Sequence, residues 1–303
     1  MNAAIFDGFR IANDEKGLNV YGVHLYSADN GSLAYRFRSD ERTHLFSGSK
    51  AFTSMAVGIA ADEGLLALSD KIISFFPQYK ELAAPGTEEI TVTDLLQMRV
   101  GHAQPLFATL EKTHERTLDW ADLFFRTPML HPAGAAYLYD NGSAYMLSRV
   151  VEAVSGQTLR DFLMPRLFTP MNIFNPQWHA CPGGHSLGAI GLYLTTEEFS
   201  RLGILLLNGG RWNDKQIVSE EYVRLASSDV VSAEGFGDPE NQQGYGYQLW
   251  RCTIPNTFRA DGKYGQYCIV LPDYKSVITI TAHNELTANS ILRAVWGEIL
   301  PRL

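Results

Sequence analysis

Ser47, Gly48, Ser49 and Lys50 head an apolar run and form the only S-x-x-K tetrad in the chain. A serine hydroxyl is a poor nucleophile until a base takes its proton. Residues three apart on a helix share a face, so a helix here sets the Lys50 amine beside the Ser47 hydroxyl. A serine at a helix N-terminus also meets unpaired backbone N–H groups and the positive end of the dipole, which suits acyl transfer. The plainer reading is a surface serine and a solvated lysine, and the tetrad alone does not decide between them.

Tyr139-Asp140-Asn141 is the second element. By itself a Tyr-x-Asn triplet reads as a structural tyrosine and an asparagine capping the helix that follows. Beside an S-x-x-K it supplies missing parts. A tyrosine, as phenolate or as shuttle, passes protons between serine and leaving group, and an amide holds the lysine or the substrate. The third element is Ala260-Asp261-Gly262-Lys263-Tyr264-Gly265-Gln266. Glycines before a buried strand let backbone approach a ligand closely. An N–H here, with that of Ser47, would form an oxyanion hole.

The elements that must hold these residues follow from periodicity. Residues 2–15 have amphipathic helical spacing. Residues 18–26 alternate, Asp29-Asn30-Gly31 signals a hairpin, and residues 33–37 return. The helix opening at Ser47 carries Phe52, Met55, Ala56, Ile59 and Ala60 on helical spacing, with Gly64 as its C′ residue. Prolines then separate helical segments, among them one from Asn141 to Val154 ended by Gly156, then 159–167 and 196–207. Strands return at 245–253, 267–271 and 277–282, and a helix over 291–300 closes the chain. Strands at both ends with helices between predict an α/β (α+β) fold with one antiparallel sheet. Its sheet domain takes 1–75 and 215–303, and a mainly helical domain takes 76–214.

The 303 residues are 46 % apolar and 19 % charged, with a formal net charge of −8. This composition fits a globular protein and argues against nucleic acid or an anionic membrane as partner. No signal peptide or membrane span is visible. Cys181, Cys252 and Cys268 are few and scattered, which predicts reduced, buried thiols in a cytoplasmic protein. The histidines lack metal-ligand spacing, so no metal and no cofactor is expected.

These motifs, in this order, resemble the serine β-lactamase and penicillin-binding-protein superfamily, in the branch that holds class C β-lactamases, esterases, D-amino-acid peptidases and nylon-oligomer hydrolases. The stretches 64–68, 90–96 and 191–195 add to the likeness, which covers almost the whole chain. The resemblance implies a β-lactamase/transpeptidase-like fold. It also implies Ser47 as the acylated nucleophile, Lys50 as its base, Tyr139 as proton shuttle and Asn141 as orienting amide. The backbone N–H groups of Ser47 and Lys263 form the oxyanion hole. Substrate then lies along Asp261, Gly262 and Tyr264.

Penicillin-recognising members carry K-[ST]-G or H-x-G as third motif, and this chain departs from it. One register sets Lys263-Tyr264-Gly265 there. The other matches Gly262 to Gln266 with the G-x-x-G-Q of nylon-oligomer hydrolases and puts Ala260-Asp261-Gly262 in place of K-[ST]-G. In the second register the cation for a substrate carboxylate is missing and Asp261 repels one. The substrate expected is then a small carboxylic ester or amide. The alternatives are a β-lactamase or D-Ala-D-Ala-type peptidase, or a silent penicillin-binding-like sensor.

Gly184-His185-Ser186-Leu187-Gly188 competes as a G-x-S-x-G nucleophile elbow, with Asp238 and His283 later in the chain. The Cys181-Pro182-Gly183 before it breaks the strand such an elbow needs. Pocket walls are expected from 101–110 and 182–188, with Trp212, Trp250 and Tyr247 read as core and Tyr245 and Tyr247 as the alternative pocket lining. Lys112, Glu115 and Arg116 read as a solvated charge run.

Overall fold

The computed structural model describes residues 2–107, 119–233, 237–285 and 289–303. Lys112, Glu115 and Arg116, and part of the expected wall 101–110, lie outside them.

The described residues form ten strands: β1 (Val20–Ser27), β2 (Gly31–Arg36), β3 (Thr43–His44), β4 (Tyr193–Leu194), β5 (Arg211–Trp212), β6 (Lys215–Gln216), β7 (Trp250–Arg251), β8 (Phe258–Gly262), β9 (Gln266–Leu271) and β10 (Ser276–Ala282). Six of them make one sheet in the order β2-β1-β10-β9-β8-β7. Every pairing in it is antiparallel, and β1 from the start of the chain lies beside β10 from its end. This is the architecture that strands at both ends implied. The expected strand over 245–253 shrinks to β7. Residues 244–250 are all buried, Gln248 among them, in a largely irregular segment, so the sequence alternation does not mark one buried and one exposed face.

The helices are α1 (Asp7–Lys16), α2 (Ser49–Asp62), α3 (Val92–Leu96), α4 (Trp120–Arg126), α5 (Asn141–Ser155), α6 (Leu159–Leu163), α7 (Thr196–Leu207), α8 (Glu220–Ser228) and α9 (Ser290–Glu298). One core joins α1 and α9 to one sheet face through Phe6, Phe9, Ile269, Ile280, Leu292 and Val295. On the other face α7 lies against β10, β9 and β1. It sits there although its residues fall in the span read as helical domain. With both faces covered, β9 and β10 are buried along their length, β9 apolar from Tyr267 to Leu271 and β10 mixing Val277, Ile278 and Ile280 with buried Thr279 and Thr281. Fully burying one such aliphatic side chain contributes roughly 1.5–3 kcal/mol.

A second, larger core surrounds α2, which touches β8 on one side and α5 on the other. Twelve of its fourteen residues are buried, so this helix is anchored on nearly every face. It ends where Gly64 takes φ +71°. There Gly64 N–H bonds Ala61 O and Leu65 N–H bonds Ala60 O, each at 2.9 Å, the double bond of a Schellman stop. A rigid α2 fixes what projects from its first turn.

Candidate active site

The chain enters α2 through a tight turn. After β3, Phe46 adopts φ +48°, a conformation an aromatic residue rarely takes, and a 3₁₀ turn over Phe46–Gly48 leads into the helix. Such a position typically costs about 1–3 kcal/mol and persists only where the surroundings enforce it. The Phe46 ring lies 4.1 Å from that of His44 and 5.1 Å, edge to face, from that of Tyr264. Ser47 therefore sits in the turn just ahead of α2, among the N–H groups of its first residues.

Lys50 is 1 % exposed. Its Nζ donates to Ser47 Oγ at 3.0 Å, to Asn141 Oδ1 at 2.7 Å and to the Ala189 carbonyl at 3.0 Å. Burial pushes its pKa down to about 7, against the opposing pull of the Asp140 and Asp261 charges. An amine titrating near neutrality, in contact with a hydroxyl, can accept that hydroxyl's proton.

Tyr139 also hydrogen-bonds Ser47. Burial pushes the phenol pKa up, with the Ser47 bond working the other way. The group is thus a neutral phenol at ordinary pH, which favours the shuttle over the phenolate. Its ring stacks on Trp250 at 5.5 Å and meets Tyr245 edge-on at 5.9 Å. Lys50 Nζ lies 4.9 Å from the Tyr139 centroid. Trp250, read from sequence as core, is core and backs the site. Tyr247 does not reach it: it is buried elsewhere with its hydroxyl on Asp229.

Asn141 is not the cap of α5. Asp140 is, its carboxylate accepting from Gly142 N and Ser143 N. That frees the Asn141 amide, whose Nδ2 donates to Phe107 O at 3.0 Å while Oδ1 takes Lys50. Asp and Asn cap helices about equally well, so sequence alone leaves the start uncertain by one residue.

The third motif ends β8 and turns into β9. Gly262 is pressed against the Ser47 turn: a Cβ there would lie 2.1 Å from Leu45 O and 3.1 Å from Gly48 N. Ala260-Asp261-Gly262 therefore occupies the strand beside the nucleophile, with Lys263 next along the chain. Lys263 is exposed, and its Nζ lies 4.7 Å from the centroid of the Tyr264 ring. Tyr264 takes φ +67° and stacks on His283 at 4.3 Å. A cavity of about 490 Å³ opens beside Asp261, Gly262, Lys263 and Tyr264, bounded on its far side by Asn241 and Asn289.

The expected repulsion by Asp261 is corrected. Arg259, two residues earlier and on the same strand face, places Nε 2.8 Å from Asp261 Oδ2. Its guanidinium is fully buried and also donates to Arg251 O at 2.8 Å, Glu240 O at 3.2 Å and Asn241 Oδ1 at 2.8 Å. Burial raises the Asp261 pKa and Arg259 opposes this. Asp261 thus belongs to an ion pair. The alternation of a strand was the signal that could have revealed Arg259.

The 184–188 string packs elsewhere. Ser186 is buried, His185 spends Nδ1 on Glu152, and His283 bonds Glu285. The segment serves α2 with backbone: Gly188 O accepts from Thr53 Oγ1 and Ala189 O accepts from Lys50. With no parallel sheet among the described strands, the nucleophile-elbow reading is set aside. Among the described residues no cluster of His, Cys, Asp and Glu fits a metal ion, all three cysteines are buried free thiols, and no helix is long and apolar enough to cross a membrane.

Comparison with known proteins shows the family and the fold. The family model described as Beta-lactamase matches residues 11–294. The chain is 24 % identical over 234 residues to the 6-aminohexanoate-dimer hydrolase of Paenarthrobacter ureafaciens, covering 72 % of this chain and 59 % of that protein. It is 26 % identical over 198 residues to the lovastatin esterase of Penicillium rubens, covering 56 % of this chain and 48 % of that one. The chain thus spans about half to three-fifths of the length of these relatives. Among solved structures, a putative 6-aminohexanoate-dimer hydrolase from Bacillus anthracis superposes with TM-score 0.81 at 19 % identity, covering 97 % of this chain and 80 % of that chain. With the S-x-x-K turn, the antiparallel sheet and a family match over nearly its whole length, this chain belongs to the β-lactamase family and has its β-lactamase/transpeptidase-like fold.

Proposed function

We propose that the chain is a serine hydrolase that works through an acyl-enzyme on Ser47. The observation that carries this is the Ser47 hydroxyl, held 3.0 Å from a buried lysine amine and bonded to a buried phenol. Neutral Lys50 takes the Ser47 proton as Oγ attacks the substrate carbonyl carbon. The oxyanion meets the N–H groups of Ser47 and Lys263. Tyr139 gives its proton to the leaving alkoxide or amine as the bond to the acyl carbon breaks, and regains one from Lys50. A water then attacks the ester, losing its proton through Tyr139, and Ser47 leaves with a proton returned by Lys50. Asn141 holds the lysine in register throughout. The site lies between the sheet domain of 1–75 and 215–303 and the mainly helical 76–214, with α7 of the latter bound to the sheet.

A fluorophosphonate probe tests the nucleophile. Peptide mapping is expected to place the adduct on Ser47 and to find Ser186 unmodified. An adduct on Ser186 would reverse the assignment.

The substrate we propose is a small carboxylic ester or neutral amide. Ala260 stands where a carboxylate-binding relative has a cation, and Arg259 is engaged by Asp261 and three backbone or amide oxygens. A charged hydrogen bond is worth about 1.5–3 kcal/mol, so its absence disfavours a carboxylated substrate by tenfold or more. Relatives named for hydrolysing an aminohexanoate dimer and for an esterase support an amide or ester as the bond attacked, and the preference for a neutral substrate rests on Ala260 and Arg259 alone. The expected result is a kcat/KM for a p-nitrophenyl acyl ester more than tenfold above that for a chromogenic cephalosporin. Preference for the cephalosporin would restore the β-lactamase or peptidase alternative and give Lys263 the carboxylate.

A further inference from the structure

We infer that Asp140, the middle residue of the Tyr139–Asn141 triplet, is a positioning residue: its carboxylate places the loop carbonyl that orients the Asn141 amide, and the amide places Lys50 Nζ. The inference rests on the reading of Ser47 and Lys50 given above.

Asp140 is fully buried. Its carboxylate accepts from Gly142 N at 2.9 Å, Ser143 N at 2.8 Å, Ser143 Oγ at 3.0 Å and Leu106 N at 2.7 Å. The first three lie within the cap of α5 and resemble what a serine cap would do. The fourth ties down a loop 34 residues earlier in the chain. Gly142 leaves room for it, since a Cβ there would lie 2.9 Å from Asp140 Oδ2 and 3.0 Å from Leu106 Cβ.

The next residue of that loop completes a ring of contacts. Phe107 holds φ +55°, its ring stacks on Trp120 at 4.7 Å, and its carbonyl accepts from Asn141 Nδ2. An amide has one oxygen and one NH₂. With its NH₂ committed to Phe107 O, its oxygen must face Lys50. Release of the loop lets the amide rotate and present donors to an amine that needs an acceptor. The Asp140 charge acts on Lys50 as well, holding its proton more tightly.

Fluorophosphonate labelling of Ser47, followed against pH with thermal melts, tests this in the wild-type chain, Asp140→Asn and Asp140→Ser. Serine is a competent N-cap, but it is too short to keep Leu106 as well. Both variants are expected to fold and to label at least about tenfold more slowly, as a displacement near 1 Å suffices for such a loss. The pH midpoint of labelling is expected to move down, because a negative charge near Lys50 is gone. A merely structural cap would be rescued by serine, which would then label at the wild-type rate at pH values above both midpoints, with only the charge effect on the midpoint remaining. Asp140→Ser labelling at the wild-type rate on the high-pH plateau overturns the proposal. Loss of folding in both variants also overturns it, making Asp140 a stability residue. No label on wild-type Ser47 removes the underlying reading instead, and the positioning role with it.

Discussion

Lys50→Ala is expected to slow acylation of Ser47 at neutral pH by at least 10²-fold, and Tyr139→Phe to lower turnover by a comparable factor, the usual loss for a general acid–base group. Tyr139→Phe is the cleaner change. It removes one hydroxyl and leaves the ring stacked on Trp250. Lys50→Ala also strips a donor from Asn141 Oδ1 and Ala189 O. An unsatisfied buried acceptor costs roughly 1–3 kcal/mol, so a lowered melting temperature is expected beside the lost activity. The three groups should act as a unit. Combining either change with Ser47→Ala is expected to cost little beyond Ser47→Ala alone. The sign of the pH dependence follows from burial. Lys50 is pushed down to about 7, so the neutral amine, the competent base, dominates above that pH. The rate should fall as pH drops through about 7 and level off above it. A profile flat between pH 5 and 9 would remove Lys50 as the base, and near-normal turnover by Tyr139→Phe would remove the shuttle.

The parts of the site that are legible in the sequence are the local ones. Ser47 and Lys50 are three residues apart across the turn into α2, and Tyr139 and Asn141 flank one residue, so spacing sets the geometry within each pair, while the meeting of the two pairs is implied by the family resemblance. What the sequence hides is carried by the backbone or by distant pairing. The Ala189 carbonyl holds Lys50, yet any residue type supplies a carbonyl. Arg259 is a cation beside the third motif, but only the pairing of β8 with β7 and the nearby Glu240–Asn241 segment makes its burial tenable. Asp140 and Asn141 both cap helices, and tertiary contacts with Leu106 and Lys50 decide between them. The sheet was legible because β1 alternates before a hairpin turn and β9 and β10 carry short β-branched and apolar runs near the end of the chain. The 245–253 segment misled because its alternating apolar residues lie in an irregular stretch that is buried from Gly244 to Trp250, Gln248 included, with a ladder only at β7.

Gly262→Ala is expected to reduce activity by 10²–10³-fold, the loss that follows removal of one oxyanion-hole donor. The glycine has an ordinary φ, so the reason is space and not backbone freedom. A methyl group there would lie 2.1 Å from Leu45 O, 3.0 Å from Gln266 Cβ and 3.1 Å from Gly48 N. Two of these are main-chain atoms that cannot rotate away. Leu45 is fully buried and the turn after it is held at the positive φ of Phe46, so the strand and not the turn must yield. In the proposed mechanism, retreat of the β8 end carries the Lys263 N–H away from that of Ser47, so the two would no longer share one oxyanion. Lys263→Ala is the informative partner. It keeps the backbone N–H and removes only an exposed side chain, so ester turnover should stay within a few-fold of the parent. A loss comparable to that of Gly262→Ala would show that the Lys263 ammonium binds substrate. Full activity in Gly262→Ala, with an unchanged melting temperature, would mean that β8 is not the second wall of the oxyanion hole. The third motif would then have to be Lys263-Tyr264-Gly265.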